Sequence, residues 1–299
     1  MSHAPMDRTT PATLTPQAAH PDAKQVRALV RRALDEDLGD GDLTAALIPA
    51  SARCRARVVV REDAVLCGTA WFDATYAALS RSVRVQWDAH DGDSVRTGQS
   101  ICRVQGPARA VNSGERTALN LLQTLSGTAT AARRHADAVA GAATIILDTR
   151  KTLPGLRVAQ KYAVRCGGCA NHRMGLHDAM LIKENHIAAA GSLRAAVLGA
   201  RAAHPCAPLE LEVETLAQLD EALELAVPMI MLDNFALADI RTAVARSRGR
   251  ARLEVSGGVS LQVLAELAAT GVDFISIGAI TKHLQAVDFS MRVEEAHEA

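Results

Sequence analysis

The sequence has few aromatic residues, no long apolar run and no excess of charge of either sign. Trp, Tyr and Phe together number eight among 299 residues, and 33 basic side chains balance 33 acidic ones. Balanced charge and scarce aromatic side chains argue against a nucleic-acid-binding surface. No run reaches the ~20 apolar residues of a transmembrane helix. We therefore expect neither nucleic acid nor a membrane as a partner.

The N-terminal segment also lacks the continuous apolar stretch of a secretory signal peptide. Residues 1–23 are polar and contain four prolines, as is typical of a flexible tail. The six cysteines are too sparse in so large a chain for a disulfide framework. We therefore predict a cytoplasmic protein with reduced thiols. The C-x-x-C pair of Cys166 and Cys169 is interpreted as part of a glycine turn, in preference to a redox or metal site.

Lysine is scarce as well, with five residues against 28 arginines. Three of the five, Lys151, Lys161 and Lys183, fall within 33 consecutive positions. A lysine is a compact charge whose pKa shifts readily on burial, unlike that of an arginine. The middle of the chain is therefore a candidate region for chemistry.

The first ~110 residues predict an antiparallel α+β unit. Residues 24–38 have apolar positions at helical spacing, and 55–66, 83–87 and 101–105 have the composition of strands. A carrier module for biotin or lipoate is rejected because no lysine lies between 25 and 150. A long helix follows, and the spacing of Asn112 and Glu115 predicts a capping box at its start.

Beyond residue 140, short apolar runs alternate with alanine-rich helical segments, which predicts parallel strands. Almost every run ends in a polar or glycine residue. In an α/β barrel such ends converge on one mouth, whereas an open doubly wound sheet uses them around one crevice only. Candidate site residues at the ends of all six runs favour a closed or nearly closed barrel, smaller than the common eight-stranded one. The runs are 144–149, 179–184, 209–214, 229–234, 252–257 and 274–279.

Five cationic side chains lie close to the first two runs: Arg150, Lys151, His172, Arg173 and Lys183. Any one of them alone is more simply a member of a surface ion pair. Together they predict a multiply anionic ligand, because arginine binds carboxylates and phosphates through two parallel hydrogen bonds.

Two carboxylates, Glu212 and Asp233, lie at the ends of neighbouring runs. They suit a hard divalent cation that also bridges substrate phosphates, and they could instead neutralise the cations nearby. Glycine turns follow the last two runs and are typical of a phosphate site, which points to phosphosugar or phosphoryl chemistry. The predicted phosphate-binding residues are Ser256, Gly257, Gly258, Ile277, Gly278 and Ala279.

Two segments, DTRKTLPGLR (148–157) and KYAVRCGGCANHRMGLHDAMLIKENH (161–186), resemble the signature region of the quinolinate phosphoribosyltransferase family. This family is also called nicotinate-nucleotide pyrophosphorylase (carboxylating). The resemblance extends over about 36–290, through 36–49, 115–130 and the motifs LELEVE, IMLDNF and EVSGGVS. It departs at Leu153, where members commonly have threonine, and at Cys166 and Cys169, where other small residues are expected. None of these three positions has an assigned role.

The resemblance implies an α/β fold in two parts, an N-terminal α+β sandwich and an incomplete α/β barrel of about six to seven strands. We predict a tail over 1–23, the sandwich over 24–127 and the barrel with the active site over 128–282. A C-terminal segment follows over 283–299, and one option is that it returns to the N-terminal domain.

The resemblance also implies an activity, that of a pentosyltransferase of de novo NAD biosynthesis. Phosphoribosyl would pass from phosphoribosyl pyrophosphate to quinolinate with decarboxylation, giving nicotinate mononucleotide, pyrophosphate and CO2. The substrate-binding residues would be Arg116, Thr149, Arg150, Lys151, His172, Arg173, Lys183, Glu212 and Asp233.

Within that set the resemblance assigns separate roles. Lys151, Glu212 and Asp233 would be catalytic, with the two carboxylates holding Mg²⁺. Arg116 would reach into the neighbouring subunit of a homodimer, with a higher oligomer left open. Three alternatives remain. The first is a related phosphoribosyltransferase acting on another aromatic acid, and the second is a non-catalytic anion-binding protein. The third is a Schiff-base aldolase using Lys183 or Lys151, which leaves the arginines unexplained.

Overall fold

The structure, a computed structural model, describes residues 20–297, so most of the tail predicted over 1–23 lies outside the described residues. The chain forms two compact units that interleave along the sequence. Among the described residues, the N-terminal unit comprises 20–134, 152–168 and 279–297. The barrel unit comprises His135–Lys151 and Cys169–Gly278 among the described residues. The predicted domain boundaries at 127/128 and 282/283 stay predictions.

The described residues form the following strands and helices. The strands are β1 (Arg53–Val60), β2 (Ala64–Val65), β3 (Arg84–Trp87), β4 (Ser94–Val95), β5 (Ser100–Pro107), β6 (Ile145–Leu147), β7 (Met180–Ile182), β8 (Leu209–Val213), β9 (Met229–Asp233), β10 (Arg252–Ser256), β11 (Phe274–Ser276) and β12 (Phe289–His297). The helices are α1 (Ala23–Leu38), α2 (Thr69–Leu79), α3 (Ala108–Ala138), α4 (Arg157–Cys166), α5 (Glu184–Ala190), α6 (Leu193–Ala203), α7 (Leu216–Glu224), α8 (Leu237–Ser247), α9 (Leu264–Ala268) and α10 (Ala279–Lys282), with 3₁₀ turns at Thr44–Leu47 and Leu261–Val263.

The N-terminal unit contains an antiparallel sheet in the strand order β12-β1-β5-β3. Along β1, Cys54, Ala56 and Val58 are buried at alternate positions, as expected of a sheet with one face on the core. That face packs with Phe72 and Leu119 in one apolar cluster. The small strands β2 and β4 pair separately, because the predicted strand 55–66 is interrupted after Val60.

Helix α1 begins where the Asp22 side chain accepts a hydrogen bond from the Lys24 N–H at 2.8 Å, a typical N-cap. Its buried residues Val26, Val30 and Leu34 recur at intervals of four and form one apolar stripe. This stripe joins a second apolar cluster of the N-terminal unit, which includes Trp71.

The long helix α3 begins at Ala108, four residues before the predicted start. The Ala108 N–H donates to the Ala52 carbonyl at 2.8 Å, so the first turn is anchored as soon as β5 ends. Asn112 lies inside the helix, where its side-chain amide donates to the Ala108 carbonyl, and Glu115 pairs with Arg116. The predicted capping box is therefore wrong.

The barrel unit contains six parallel strands in the order β6-β11-β10-β9-β8-β7. Each of the six predicted runs contains one of these strands, which confirms the predicted mixed fold with an incomplete barrel. Strands β6 and β7 end the row, and a single parallel bridge from Leu147 to Ala170 lies beside β6. Leu147, Met229 and Phe274 form an apolar cluster of this unit. None of the helices described here combines the length and apolar character that a membrane crossing requires.

Candidate active site

The carboxyl ends of the parallel strands carry most of the predicted site residues. Lys183 directly follows β7, Glu212 is the penultimate residue of β8, and Asp233 and Ser256 end β9 and β10. Because parallel strands end at the same edge of a sheet, these residues share one edge, which we call the mouth. Gly278 lies two residues beyond the end of β11, at the same edge.

A cavity of about 600 Å³ opens beside the first of these strands. Arg150, Arg173, Lys183 and His186 line it, together with apolar side chains of β7 and α6. Two guanidinium groups and an ammonium group opposite an apolar wall suit a small organic anion with a flat apolar body.

Arg173 is held in place by the protein. It is 8% exposed, and its guanidinium donates to the Ala179 carbonyl at 3.1 Å. Burial lowers the pKa of Arg173, and the positive charge of Arg150 lowers it further. Two neighbouring cations repel each other, and a bound anion relieves that repulsion.

Lys183 donates a hydrogen bond to the Glu212 carboxylate. Glu212 is 7% exposed, and burial raises its pKa, while the bond from Lys183 opposes that rise and the charge of Asp233 adds to it. Asp233 accepts a hydrogen bond from the Asn234 amide at 2.7 Å. The mouth therefore holds two carboxylates with one ammonium group between the cavity and the acids.

Below the mouth, a chain of buried polar groups supports the backbone at Arg173. Asp148 accepts hydrogen bonds from the Asn171 amide at 2.6 Å and from the His172 N–H at 2.9 Å. Nδ1 of His172 accepts from the Arg173 N–H at 2.8 Å. A neutral ring with an accepting Nδ1 carries its proton on Nε2, which lies 2.9 Å from Glu210 Oε2.

Glu210 and Glu254 form a second acid pair with His172. Both glutamates are fully buried, and Glu254 Oε2 lies 3.6 Å from His172 Nε2. Burial raises the pKa of each glutamate to about 8, and the charge of Glu210 contributes to the shift of Glu254. At neutral pH the pair therefore retains protons that exposed glutamates would have lost.

The sequence analysis missed this inner cluster, to which Asp148, Asn171, Glu210 and Glu254 belong. A signal was present in LELEVE and RLEVSG, since glutamates alternate with the apolar residues of strands that are otherwise wholly buried. A charged side chain on such a strand needs a buried partner.

The two glycines of the turn after β10 differ in whether they leave space for a side chain. Gly257 has φ +94°, and a Cβ there would lie 2.1 Å from Asn234 Oδ1. Gly258 has φ +55° and open space around it. The Asn234 N–H donates to the Ser256 carbonyl at 3.0 Å, so the ends of β9 and β10 approach closely, and only glycine fits at 257.

At the end of β11, a Cβ on Gly278 would lie 2.9 Å from Lys151 Cδ, so glycine leaves room for that lysine side chain. Thr149 Oγ1 accepts the Lys151 N–H at 3.0 Å and fixes the turn after β6. The Ile277 N–H donates to the Leu147 carbonyl and its side chain is buried, so the structure does not support a phosphate contact from Ile277. Ala279 begins α10 in the N-terminal unit.

Arg116 lies on α3 in the N-terminal unit, with its side chain 54% exposed. Its guanidinium bonds Glu115 Oε1 at 2.6 Å. Glu115 is available for this pairing because it forms no capping box. The pairing is exposed, and exposed ion pairs contribute little to stability.

Two described groups bring three possible metal-ligand atoms within 4.8 Å of one another. One is His172, Glu210 and Glu254 in the barrel unit, and the other is Cys67, Asp91 and Cys166 in the N-terminal unit. Glu212 and Asp233 belong to neither group and supply two carboxylates, a number that suits Mg²⁺ when substrate phosphates complete its coordination.

Comparison with known proteins gives the same family on both parts of the chain. Residues 128–292 match the quinolinate phosphoribosyl transferase C-terminal domain, and residues 42–126 match the N-terminal domain. The chain is 44% identical over 275 residues to the nicotinate-nucleotide pyrophosphorylase [carboxylating] of Mycobacterium leprae (strain TN), covering 89% of this chain and 96% of the relative.

A probable nicotinate-nucleotide pyrophosphorylase [carboxylating] of Bacillus subtilis (strain 168) is 39% identical, covering 92% of this chain and 96% of that protein. Among solved structures, the nicotinate-nucleotide pyrophosphorylase from Francisella tularensis superposes with a TM-score of 0.89 at 41% identity, over 96% of this chain and all of the other. The chain belongs to the quinolinate phosphoribosyltransferase family.

Proposed function

We propose that this chain transfers the phosphoribosyl group of phosphoribosyl pyrophosphate to quinolinate with loss of CO2, giving nicotinate mononucleotide and pyrophosphate for NAD biosynthesis. The observation that carries the assignment is the cavity lined by Arg150, Arg173 and Lys183. It lies at the same mouth as Glu212 and Asp233. A dianionic aromatic ring matches the cationic cavity, and a phosphorylated sugar matches the part of the mouth that carries the two carboxylates.

Quinolinate carries two carboxylates on a flat ring, which fits a cavity lined by two guanidinium groups, an ammonium group and apolar side chains. Arg173 is positioned on both sides of its Cα, by its N–H bond to His172 and its guanidinium bond to Ala179. Because both ring nitrogens of His172 face protein groups, its support for Arg173 is the role that the geometry favours. Direct contact between His172 and a carboxylate stays a prediction.

The transfer step breaks the bond from the ribose C1 to pyrophosphate and forms a bond from C1 to the quinolinate nitrogen. Positive charge grows on the ribose as this happens, and fixed carboxylates nearby stabilise it. Glu212 and Asp233, at the ends of β8 and β9, would take that role. Lys151, in the turn that Thr149 stabilises, would contact the phosphorylated sugar.

Mg²⁺ is part of the proposal, because hard oxygen donors are the ligands that it prefers. Glu212 and Asp233 would hold it together with substrate phosphates. When bound, it would supply positive charge against the developing charge of pyrophosphate. The subsequent loss of the C2 carboxylate as CO2 would leave its bonding electron pair at C2. The positive charge of the neighbouring ribosylated nitrogen would stabilise that pair until C2 takes a proton from water.

The test is an assay of the purified chain with quinolinate, phosphoribosyl pyrophosphate and Mg²⁺, measuring CO2 and pyrophosphate together. Nicotinate, which has one carboxylate, serves as the comparison substrate. A buried arginine left without its anionic partner costs several kcal/mol. The kcat/KM for nicotinate should therefore be at least about 10²-fold lower than that for quinolinate. Equal values for the two acids would contradict the assignment and favour an enzyme for another aromatic acid.

The Schiff-base alternative loses support at its best nucleophile. The Lys183 ammonium group is bonded to the buried Glu212 carboxylate, whereas a Schiff-base lysine must present a neutral amine to a carbonyl. Borohydride treatment in the presence of aldehyde and ketone substrates should therefore leave no adduct on Lys183.

A homodimer with composite sites and a cytoplasmic location complete the proposal. Arg116 is half-exposed on α3, where its guanidinium bonds the Glu115 carboxylate. Such a group can exchange an exposed carboxylate for one on a substrate with little loss. In a two-fold dimer each subunit can offer this arginine to the mouth of the other.

Complementation tests the composite site. Subunits with Arg116→Ala are mixed with subunits with Lys151→Ala, each inactive alone. Mixed dimers would regain one intact site, giving roughly a quarter of wild-type activity under random exchange. Activity that stays at background after proven subunit exchange would place Arg116 outside the partner's site.

A further inference from the structure

Three chemically reactive side chains from distant parts of the sequence meet in the N-terminal unit. Cys67 lies between β2 and α2, Asp91 lies in the turn between β3 and β4, and Cys166 is the last residue of α4. Their Sγ atoms and one carboxylate oxygen all lie within 4.8 Å of one another. The proposed transfer reaction uses none of them.

The donor atoms define the kind of ion that fits. Thiolate sulfur selects zinc-like and softer metals, whereas Mg²⁺ and Ca²⁺ prefer oxygen ligands throughout. We propose that Cys67, Asp91 and Cys166 bind one thiophilic divalent cation, of which Zn²⁺ is the representative. Binding would release the two thiol protons and form two metal–sulfur bonds, with no change in oxidation state.

Asp91 is oriented for such a role by its neighbours. Its Oδ1 accepts the N–H groups of Gly68 at 3.0 Å and Thr69 at 3.1 Å, and its Oδ2 accepts the Tyr162 hydroxyl at 2.9 Å. The Thr69 side chain also hydrogen-bonds this carboxylate. A carboxylate offers about four lone-pair directions, so these bonds fix its position and a bound ion would take the place of one of them. Outer partners of this kind are typical of metal-binding carboxylates.

The two thiols differ in accessibility. Cys67 is fully buried, whereas Cys166 is half-buried, so the Cys166 thiol is the one that reagents in solution reach more easily. A cavity of about 260 Å³ is lined by Asp91 and Tyr162 and so reaches the carboxylate of the group.

This grouping differs from the pair that the sequence suggests. The C-x-x-C motif joins Cys166 to Cys169, but the group of ligand atoms joins Cys166 to Cys67. Cys169 is therefore a matched control, since it shares the motif without belonging to the group. An ion at Cys67, Asp91 and Cys166 would link three separate segments of the N-terminal unit and stabilise it by mass action.

The experiment uses the full-length chain, reduced and treated with a chelator, and then titrated with Zn²⁺ or Co²⁺. The wild type and Cys169→Ser should bind one equivalent of Co²⁺ with a thiolate-to-cobalt charge-transfer band. Zn²⁺ should raise the melting temperature of both. Cys166→Ser should lose the band, and its affinity for Zn²⁺ should fall by at least about tenfold, as should that of Asp91→Asn.

Because Cys67 is fully buried, Cys67→Ser could fail to fold, so the half-buried Cys166 carries the test. Circular dichroism of each metal-free variant establishes that it is folded. Either of two results would overturn the proposal. One is metal binding by the reduced wild type without a thiolate band, which would place the ion elsewhere. The other is a band that survives unchanged in Cys166→Ser.

Discussion

Two acid pairs occupy neighbouring levels of the same parallel sheet, and they differ in environment. Glu212 and Asp233 lie at the mouth beside Lys183, which bonds Glu212. Glu210 lies two residues earlier on β8, fully buried with Glu254 and His172. Residues two apart on a strand project from the same face, so β8 supplies one member of each pair from that face.

The difference shows that depth and partner, and not residue type, decide what a carboxylate does. Burial raises the pKa of Glu212 and is opposed by Lys183. The inner pair has an imidazole as its neighbour, and burial raises the pKa of Glu210 and Glu254 to about 8. The outer pair is therefore suited to hold negative charge against a cation, and the inner pair is suited to hold protons and position His172.

The largest expected difference between the two acid pairs is in catalysis, and it is tested by neutralising the outer pair. Glu212→Gln and Asp233→Asn keep the shape of each side chain and remove its charge. If the charge stabilises the transition state, kcat should fall by about 10²–10³-fold, with a smaller change in quinolinate binding. The measurement is a steady-state series over Mg²⁺ concentration. Because Glu212 also holds Lys183, Asp233→Asn is the cleaner variant.

Glu214→Gln is the matched control for this series, since Glu214 follows β8 and is exposed. It should retain the wild-type rate. Wild-type rates in both Glu212→Gln and Asp233→Asn at every Mg²⁺ concentration would reduce the outer pair to structural counter-ions.

The inner pair should make the free energy of unfolding depend on pH. The pKa of Glu254 is about 8 in the folded chain, against an ordinary value of 4.5. Between these values the folded chain binds more protons than the unfolded chain, so the free energy of unfolding falls as pH rises through this window. Glu254→Gln removes that group and should reduce the fall by on the order of 2 kcal/mol between pH 5 and pH 8.

Urea unfolding at the two pH values measures this change. Glu266→Gln, at an exposed position on α9, should show the wild-type dependence. If Glu254→Gln loses as much stability as the wild type over the same interval, the inner pair does not hold protons in the folded state.

Sequence alone predicted the outer level well, because its residues stand at the ends of periodic apolar runs. All six runs contain parallel strands, and parallel strands bring their ends together whatever the details of packing. Lys183, Glu212 and Asp233 could therefore be placed at one mouth before any coordinates were known.

The inner level and the cysteine group could not be predicted in the same way. Bonds from His172 to Glu210, and the approach of Cys67 to Cys166 across 99 positions, depend on tertiary packing. The spacing of residues along the chain gave a wrong prediction where tertiary contacts decided the local structure. Asn112 and Glu115 have the capping-box spacing, but the helix had already begun at Ala108.

The smallest expected effect concerns the close approach between the ends of β9 and β10, beside the outer acid pair. Gly258→Ala meets open space, so its cost is the positive φ alone, about 1–2 kcal/mol. Gly257→Ala has a positive φ too and also drives a Cβ into the Asn234 amide, which should add about 1 kcal/mol or more. The measurement is the free energy of unfolding of each variant.

A double-mutant cycle isolates that added cost. Asn234→Gly removes the amide that Gly257→Ala would strike, and it keeps the positive φ of 56° at position 234. In this background Gly257→Ala should cost about 1 kcal/mol less than in the wild type, and this difference is the coupling energy. The Asn234 backbone nitrogen, 2.9 Å from the added Cβ, should keep the cost above that of Gly258→Ala. A coupling energy of zero would mean that the close approach of the two strand ends does not constrain position 257. The outer acid pair would then be positioned by β8 and β9 alone.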